Sequence, residues 1–317
     1  MQLYQILLII IAGLIVSFSI IYIITGKIML RTTLTPDRER DKEHKPAISP
    51  DKTHSQRYEQ EWLAKAPHEG VYITSKDKLK LYGHLYMNSQ KSHKYVIACH
   101  GYNGYWKELS IPCKHYYEDL GFNALFIDQR AQGESEGKYM TMGYKEKFDV
   151  VDWCNFIVEK DPSAKILLIG HSMGAATVMM VSGMSTMPEN VKCIIEDCGY
   201  PSIKEQIIDT LEKMKVPTMF MYCAGSLVAK LFYGISFTKG SPREALKKTK
   251  VPFLFIHGGD DTFVPTKFLQ INYDSLTNKS IYKDKLVVPG ACHGMSFIYD
   301  EKAYIEKSES YIKKFIK

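Results

Sequence analysis

An α/β fold, with a mostly parallel central sheet flanked by helices, is predicted for this 317-residue chain. Six short apolar runs, "YVIAC", "FNALFI", "KILLI", "VKCIIE", "VPFLFI" and "DKLVVP", recur between residues 95 and 289. Such runs, lacking polar alternation, suit strands buried on both faces. Helical patterns, at 145–159 and 173–184 for example, lie between most of them, and strands alternating with helices argue a parallel sheet. A chain of this length builds a core that needs no disulfide staples.

Residues 3–25 are 23 positions without a charge, long enough as a helix (roughly 35 Å) to cross a hydrocarbon core of about 30 Å. A signal peptide is the competing reading. No Lys or Arg precedes the run and no A-x-A-like site follows it, so the membrane anchor is favoured. Lys27, Arg31, Arg38, Arg40, Lys42 and Lys45 follow closely, and this asymmetry places the body of the chain in the cytoplasm. Residues 32–66 then read as a polar juxtamembrane linker, since 32–55 mix prolines with both signs of charge and carry no polybasic lipid patch. The folded domain is expected over 67–317. It opens with a short helix around Trp62 at its margin and an antiparallel pair, "GVYITS" and "KLKLYGHLYM".

Composition excludes some classes. The balance of 41 basic against 35 acidic residues leaves only +6, too mild and dispersed for nucleic acid. Seven cysteines show no C-x-x-C spacing, so no zinc-type motif is present and no metal or cofactor is expected. An odd, scattered set suits a reducing compartment.

The chemistry concentrates where apolar runs end. In "KILLIGHSMGAATVMM" a serine sits between two glycines at a strand-to-helix junction, Gly170-x-Ser172-x-Gly174, the pattern of a nucleophile elbow. The glycines leave room for a very sharp turn. A serine that merely caps the helix would satisfy the same pattern. A nucleophilic serine needs a base, and the base a carboxylate. "VPFLFIHGGDDTFVP" supplies Asp260 and Asp261 after one strand, and "KLVVPGACHGMSF" supplies His293 after another.

Four separated motifs carry a resemblance to a known family. Residues 257–265 are similar to its H-G-x-x-D-x-x-V-P pattern, "CHG" to its catalytic histidine, "HGYNG" at 100–104 to its oxyanion loop, and "DQRAQGESEG" at 128–137 to its post-strand loop. The chain thus resembles α/β-hydrolases from about residue 70 to 317. Within them it looks most like bacterial membrane-anchored serine hydrolases of the serine aminopeptidase or monoacylglycerol-lipase-like branch.

The resemblance implies an α/β-hydrolase fold with a small helical cap at about 200–240, and a Ser172–Asp261–His293 triad. It also implies an oxyanion hole from the backbone amides of Tyr102 and Met173. The expected activity is hydrolysis of carboxylic esters, lipophilic acyl esters in particular, through an acyl-enzyme. The expected partners are a small acyl substrate and, through the N-terminal helix, membrane lipid. A peptidase or amidase shares the triad, and a non-catalytic scaffold shares the fold.

Asp260 is the rival acid, although the motif register favours Asp261. His100 and His257 read as loop braces, Cys292 as packing, and Arg130 and Asp128 as pins of their loop. Gln132 stands where many relatives have a histidine. The charge-free run 216–229 reads as a packed cap helix, with an acyl-binding or membrane-skimming cap as the sharper alternative.

Overall fold

A computed structural model describes residues 2–36 and 62–317. Helix α1 (Leu3–Leu34) is followed, beyond the gap, by a helical segment at 62–65 and the strands β1 (His68–Thr74) and β2 (Lys80–Tyr86). The alternating part runs β3 (Lys94–Cys99), α2 (Ser110–Glu118), β4 (Asn123–Ile127), α3 (Glu146–Lys160), β5 (Lys165–His171), α4 (Met173–Ser182) and β6 (Val191–Asp197). The cap helices α5 (Ile203–Lys213), α6 (Thr218–Val228) and α7 (Pro242–Leu246) come next. The chain closes with β7 (Phe253–Gly258), α8 (Lys267–Ser275), β8 (Lys283–Val288), α9 (Ser296–Tyr299) and α10 (Glu301–Phe315).

Eight strands form one sheet in the order β1-β2-β4-β3-β5-β6-β7-β8. The β1–β2 and β2–β4 pairs are antiparallel and all others parallel. The apolar runs become these strands because helices cover both faces: Val96, Ile97, Leu167, Leu168, Ile194 and Ile195 are completely inaccessible to solvent. On one face Trp153 and Ile157 of α3 join Val178 and Val181 of α4, while the other face takes Tyr116 of α2 and Tyr304 and Tyr311 of α10. A parallel sheet presents its strand carboxyl ends along one rim, where α/β proteins bind ligands.

Beside that rim sits the cap. Ser202 accepts a hydrogen bond from the Glu205 amide at 3.0 Å and starts α5, whose Ile203, Ile207 and Leu211 are buried at helical spacing. Pro217 precedes α6, which occupies most of the charge-free run and passes into a π-turn at Ala229–Tyr233.

The end of α1 packs into this cap. Gly26, Met29, Leu30 and Leu34 are buried, and a Cβ on Gly26 would lie 2.6 Å from the Ala224 carbonyl oxygen and from Val228 Cγ2. A glycine there lets two helix backbones approach closely. Met140 N donates to the Leu34 carbonyl at 2.9 Å and pins the helix terminus.

The linker expectation therefore changes at both ends. Residues 32–34 are helical, because Leu30 and Leu34 hold the last turns against the body. At the other end Trp62 is buried beside Tyr86 and Phe126. The remainder of the expected linker, 37–61, lies outside the described residues.

The post-β4 loop is pinned as its charges suggest. Arg130 forks onto Asp149 (Nη2–Oδ1 2.6 Å, Nε–Oδ2 2.7 Å) and reaches Asp77 at 2.8 Å. Removing one member of such a buried pair costs about 3–5 kcal/mol, since the other charge is left without a partner. Arg130 hydrogen bonds also draw the partly exposed Asp77 carboxyl down to about 2. Asp128 accepts from the Glu134 amide at 2.9 Å within the same loop. Gln132 is buried, and its amide atoms have no hydrogen-bond partner among the described residues.

Candidate active site

β5 delivers Ser172 to the rim, and α4 departs at Met173. Ser172 has φ 55° and ψ −114°, a conformation that costs a residue with a Cβ about 1–3 kcal/mol. The neighbouring glycines make it reachable. A Cβ on Gly170 would fall on the Gly174 carbonyl, and one on Gly174 on the Cys99 carbonyl of β3. Ser172 N donates to the Asp197 carbonyl of β6 at 2.8 Å and fixes the turn from below.

Loops after β7 and β8 bring the other two groups to the same place. His293 Nε2 lies 2.9 Å from Ser172 Oγ, and His293 Nδ1 lies 2.7 Å from Asp261 Oδ2. The partners assign the tautomer: a proton on Nδ1 donates to the carboxylate, and the bare Nε2 accepts from the serine hydroxyl. Asp261 Oδ1 accepts from the Phe263 and Val264 amides, both at 2.9 Å, so the carboxylate cannot turn away. Its side chain is fully buried. Burial alone would raise the carboxyl pKa, but hydrogen bonds from His257 and His293 outweigh it and hold the group well below the usual carboxylate range. Asp260 is exposed and its amide serves the loop, donating to Ala291 O at 3.0 Å.

Two histidines matter more than sequence reasoning allowed. His257 Nε2 braces its loop on the Val264 carbonyl at 2.8 Å, and also lies 3.2 Å from Asp261 Oδ2, so it positions the acid. His171, next to the serine, packs its ring centroid 5.9 Å from that of His293. Burial, and then the neighbouring His293, pushes His171 down to about 3. It stays neutral and adds no repulsion to an imidazolium formed at His293. The H-G-x-x-D spacing was the signal for His257, while for His171 only adjacency to the elbow was available. His100 braces its loop, its Nε2 accepting from the Gln129 amide at 3.1 Å. Cys292 corrects the packing expectation: the β8–α9 loop turns its thiol to solvent.

Tyr102, Ser172 and Met173 border one cavity of about 400 Å³, within the range of small-molecule sites. Met173 opens α4, so its amide has no acceptor within the helix and is free to face an oxyanion. The walls are overwhelmingly apolar, with Met142, Ile207, Leu211, Met221 and Val264 among them, and no charged side chain among the described residues lines it. Cys198, Asp261 and His293 bring possible ligand atoms within 4.8 Å of one another. The Asp261 and His293 atoms are already engaged in the hydrogen bonds above, and burial pushes the Cys198 thiol well up, away from the thiolate a metal would need.

A serine on a strained strand-to-helix turn, in contact with a histidine–carboxylate pair at the carboxyl ends of a parallel sheet, is the arrangement of a serine-hydrolase-like α/β protein. Residues 90–243 match the hydrolase family described as serine aminopeptidase, S33, a stretch that holds the elbow and most of the cap. An esterase of Pyrococcus furiosus superposes with a TM-score of 0.64 at 24% identity, over 86% of this chain and 97% of that one. The acylaminoacyl peptidase of Pyrococcus horikoshii gives 0.60 at 16% identity, over 80% of this chain and 42% of its own. The uncharacterized protein YqkD of Bacillus subtilis (strain 168) is 26% identical over 220 residues, 68% of this chain and 70% of that protein. The chain has the α/β-hydrolase fold.

Proposed function

We propose that the protein is a membrane-anchored serine hydrolase that cleaves carboxylic esters with lipophilic acyl groups. The observation that carries this reading is the unbroken contact from Asp261 through His293 to Ser172, opening into an apolar cavity. Ser172 Oγ attacks the acyl carbonyl while His293 Nε2 takes its proton, and Asp261 stabilises the imidazolium. The Tyr102 and Met173 amides receive the oxyanion, a contribution of roughly 3 kcal/mol per donor. His293 returns the proton to the departing alcohol, and a water molecule, activated by the same imidazole, releases the acid and restores the serine.

The cavity also argues against the aminopeptidase alternative. An α-ammonium would need a carboxylate beside it, and among the described residues none lines the space. Esters of p-nitrophenol with acyl chains of graded length, set against aminoacyl p-nitroanilides, test the reading. Acyl esters are expected to turn over at least about a hundredfold faster in kcat/KM, a gap of roughly 3 kcal/mol; faster cleavage of the anilides would defeat it.

Helix α1 supplies the tether in this account. Its length and apolar composition suit a membrane span, and a signal sequence passes the same test. Burial of its last turns in the cap argues for retention, because cleavage after it would strip Met29, Leu30 and Leu34 from the body. With basic residues following the span, the body faces the cytoplasm. Protease added to intact cells is expected to leave it uncut, and digestion from outside would reverse the assignment.

A further inference from the structure

The last two turns of α1 border the cavity that holds Ser172. Ile28, Met29, Thr32 and Thr33 are among its lining residues, opposite Met214, Val216 and Met221 of the cap. An anchor that only tethered would have no reason to reach the reacting serine. Tyr102, which carries one proposed oxyanion amide, donates its hydroxyl to the Thr33 carbonyl at 2.7 Å, so α1 also holds the oxyanion loop.

Depth in the bilayer follows from helix geometry. α6 runs alongside α1 in the same direction: the Phe220 ring meets Phe18 at 6.2 Å and Tyr22 at 5.2 Å, whereas Ala224 and Val228 meet Gly26. Residues 3–22 span roughly 30 Å, one hydrocarbon thickness. The start of α6 then lies at the membrane boundary and the serine further out. The cavity runs between these two levels. Its rim is exposed and apolar, with Ile28 62%, Met214 63% and Phe263 51% accessible, a combination that suits contact with lipid.

We propose that α1 is itself one wall of the acyl site. A bilayer-resident lipid ester lays its acyl chain between Ile28, Met29 and Thr32 of the anchor and Met214, Val216 and Met221 of the cap. Its tail points toward the membrane and its carbonyl rests at Ser172. The inference rests on the ester reading for its substrate, and on the cavity alone for its geometry. The anchor thereby sets chain-length preference as well as location.

The test uses the full chain in phosphatidylcholine nanodiscs, with ethyl and dodecyl fluorophosphonates as probes. Ile28→Trp and Thr32→Trp, both at exposed positions, are expected to slow dodecyl labelling about tenfold, or 1.4 kcal/mol, and to leave ethyl labelling within about twofold. Leu14→Trp, on the same helix but away from the cavity, is expected to change neither rate. Ile28→Ala, which cannot obstruct, is expected to widen the site and quicken a hexadecyl probe. Equal slowing of both probes by the tryptophan variants, or no change in either together with no hexadecyl gain in Ile28→Ala, overturns the proposal. If the dodecyl effect is seen and the wild type hydrolyses no acyl ester, the geometry stands and the ester reading falls.

Discussion

Replacing Ser172 by alanine is expected to lower kcat for acyl esters by about a millionfold, the scale at which a triad serine acts with its base as a unit. Among the described residues, nothing else near the rim can substitute. Thr32, Thr33 and Thr210 border the cavity, but His293 Nε2 is aimed at Ser172 Oγ. The loss should come without unfolding. Alanine keeps the Cβ and hence the backbone strain at φ 55°, and the Ser172 amide still donates to Asp197 O. A melting curve within about 3 °C of the wild type, consistent with less than about 1 kcal/mol, separates lost chemistry from lost structure.

Asp261→Asn is expected to cost about ten-thousandfold in kcat, and the hydrogen bonds say why. The Phe263 and Val264 amides donate to Oδ1, so an asparagine keeps its carbonyl oxygen there and turns its NH2 toward His293 and His257. Two donors would then face each other. His293 answers by moving its proton to Nε2, where it can no longer accept from Ser172. The stability of the two forms should also diverge with pH. A carboxyl whose folded pKa is depressed contributes stability that is fully present above the ordinary carboxylate range and is lost as pH falls below it. Asp261 is such a group, so urea midpoints should show a contribution at neutral pH that Asp261→Asn lacks. The steps to measure are kcat on a short ester and the denaturation midpoint of each protein across acid and neutral pH.

Much of this frame was readable from the residues alone. The interior strands of a parallel sheet are buried on both faces, so "KILLI" or "VPFLFI" stands out as a continuous run, and the residues just after each run fall on one rim. Gly170 and Gly174 are legible for a local reason, the collisions a Cβ would create within one turn of chain. Other features depend on partners far apart in the sequence. Thr32 and Thr33 look like linker residues until Leu30 and Leu34 are seen packed in the cap, and Thr33 meets Tyr102 across 69 positions. His257 looked like a brace because its contact with Asp261 depends on how the loop closes, not on spacing alone. Cys292 follows a buried alanine and precedes His293, and only the direction of the loop decides that its thiol faces water.

Catalysis by this site depends on Ser172 being an activated nucleophile. Incubation of the full chain with a fluorophosphonate, followed by peptide mass spectrometry, reads that directly. A single adduct on the peptide holding Ser172, abolished in Ser172→Ala and strongly slowed in His293→Ala, is the predicted result. A folded wild-type protein that takes up no phosphonate, or takes it up elsewhere, would contradict it.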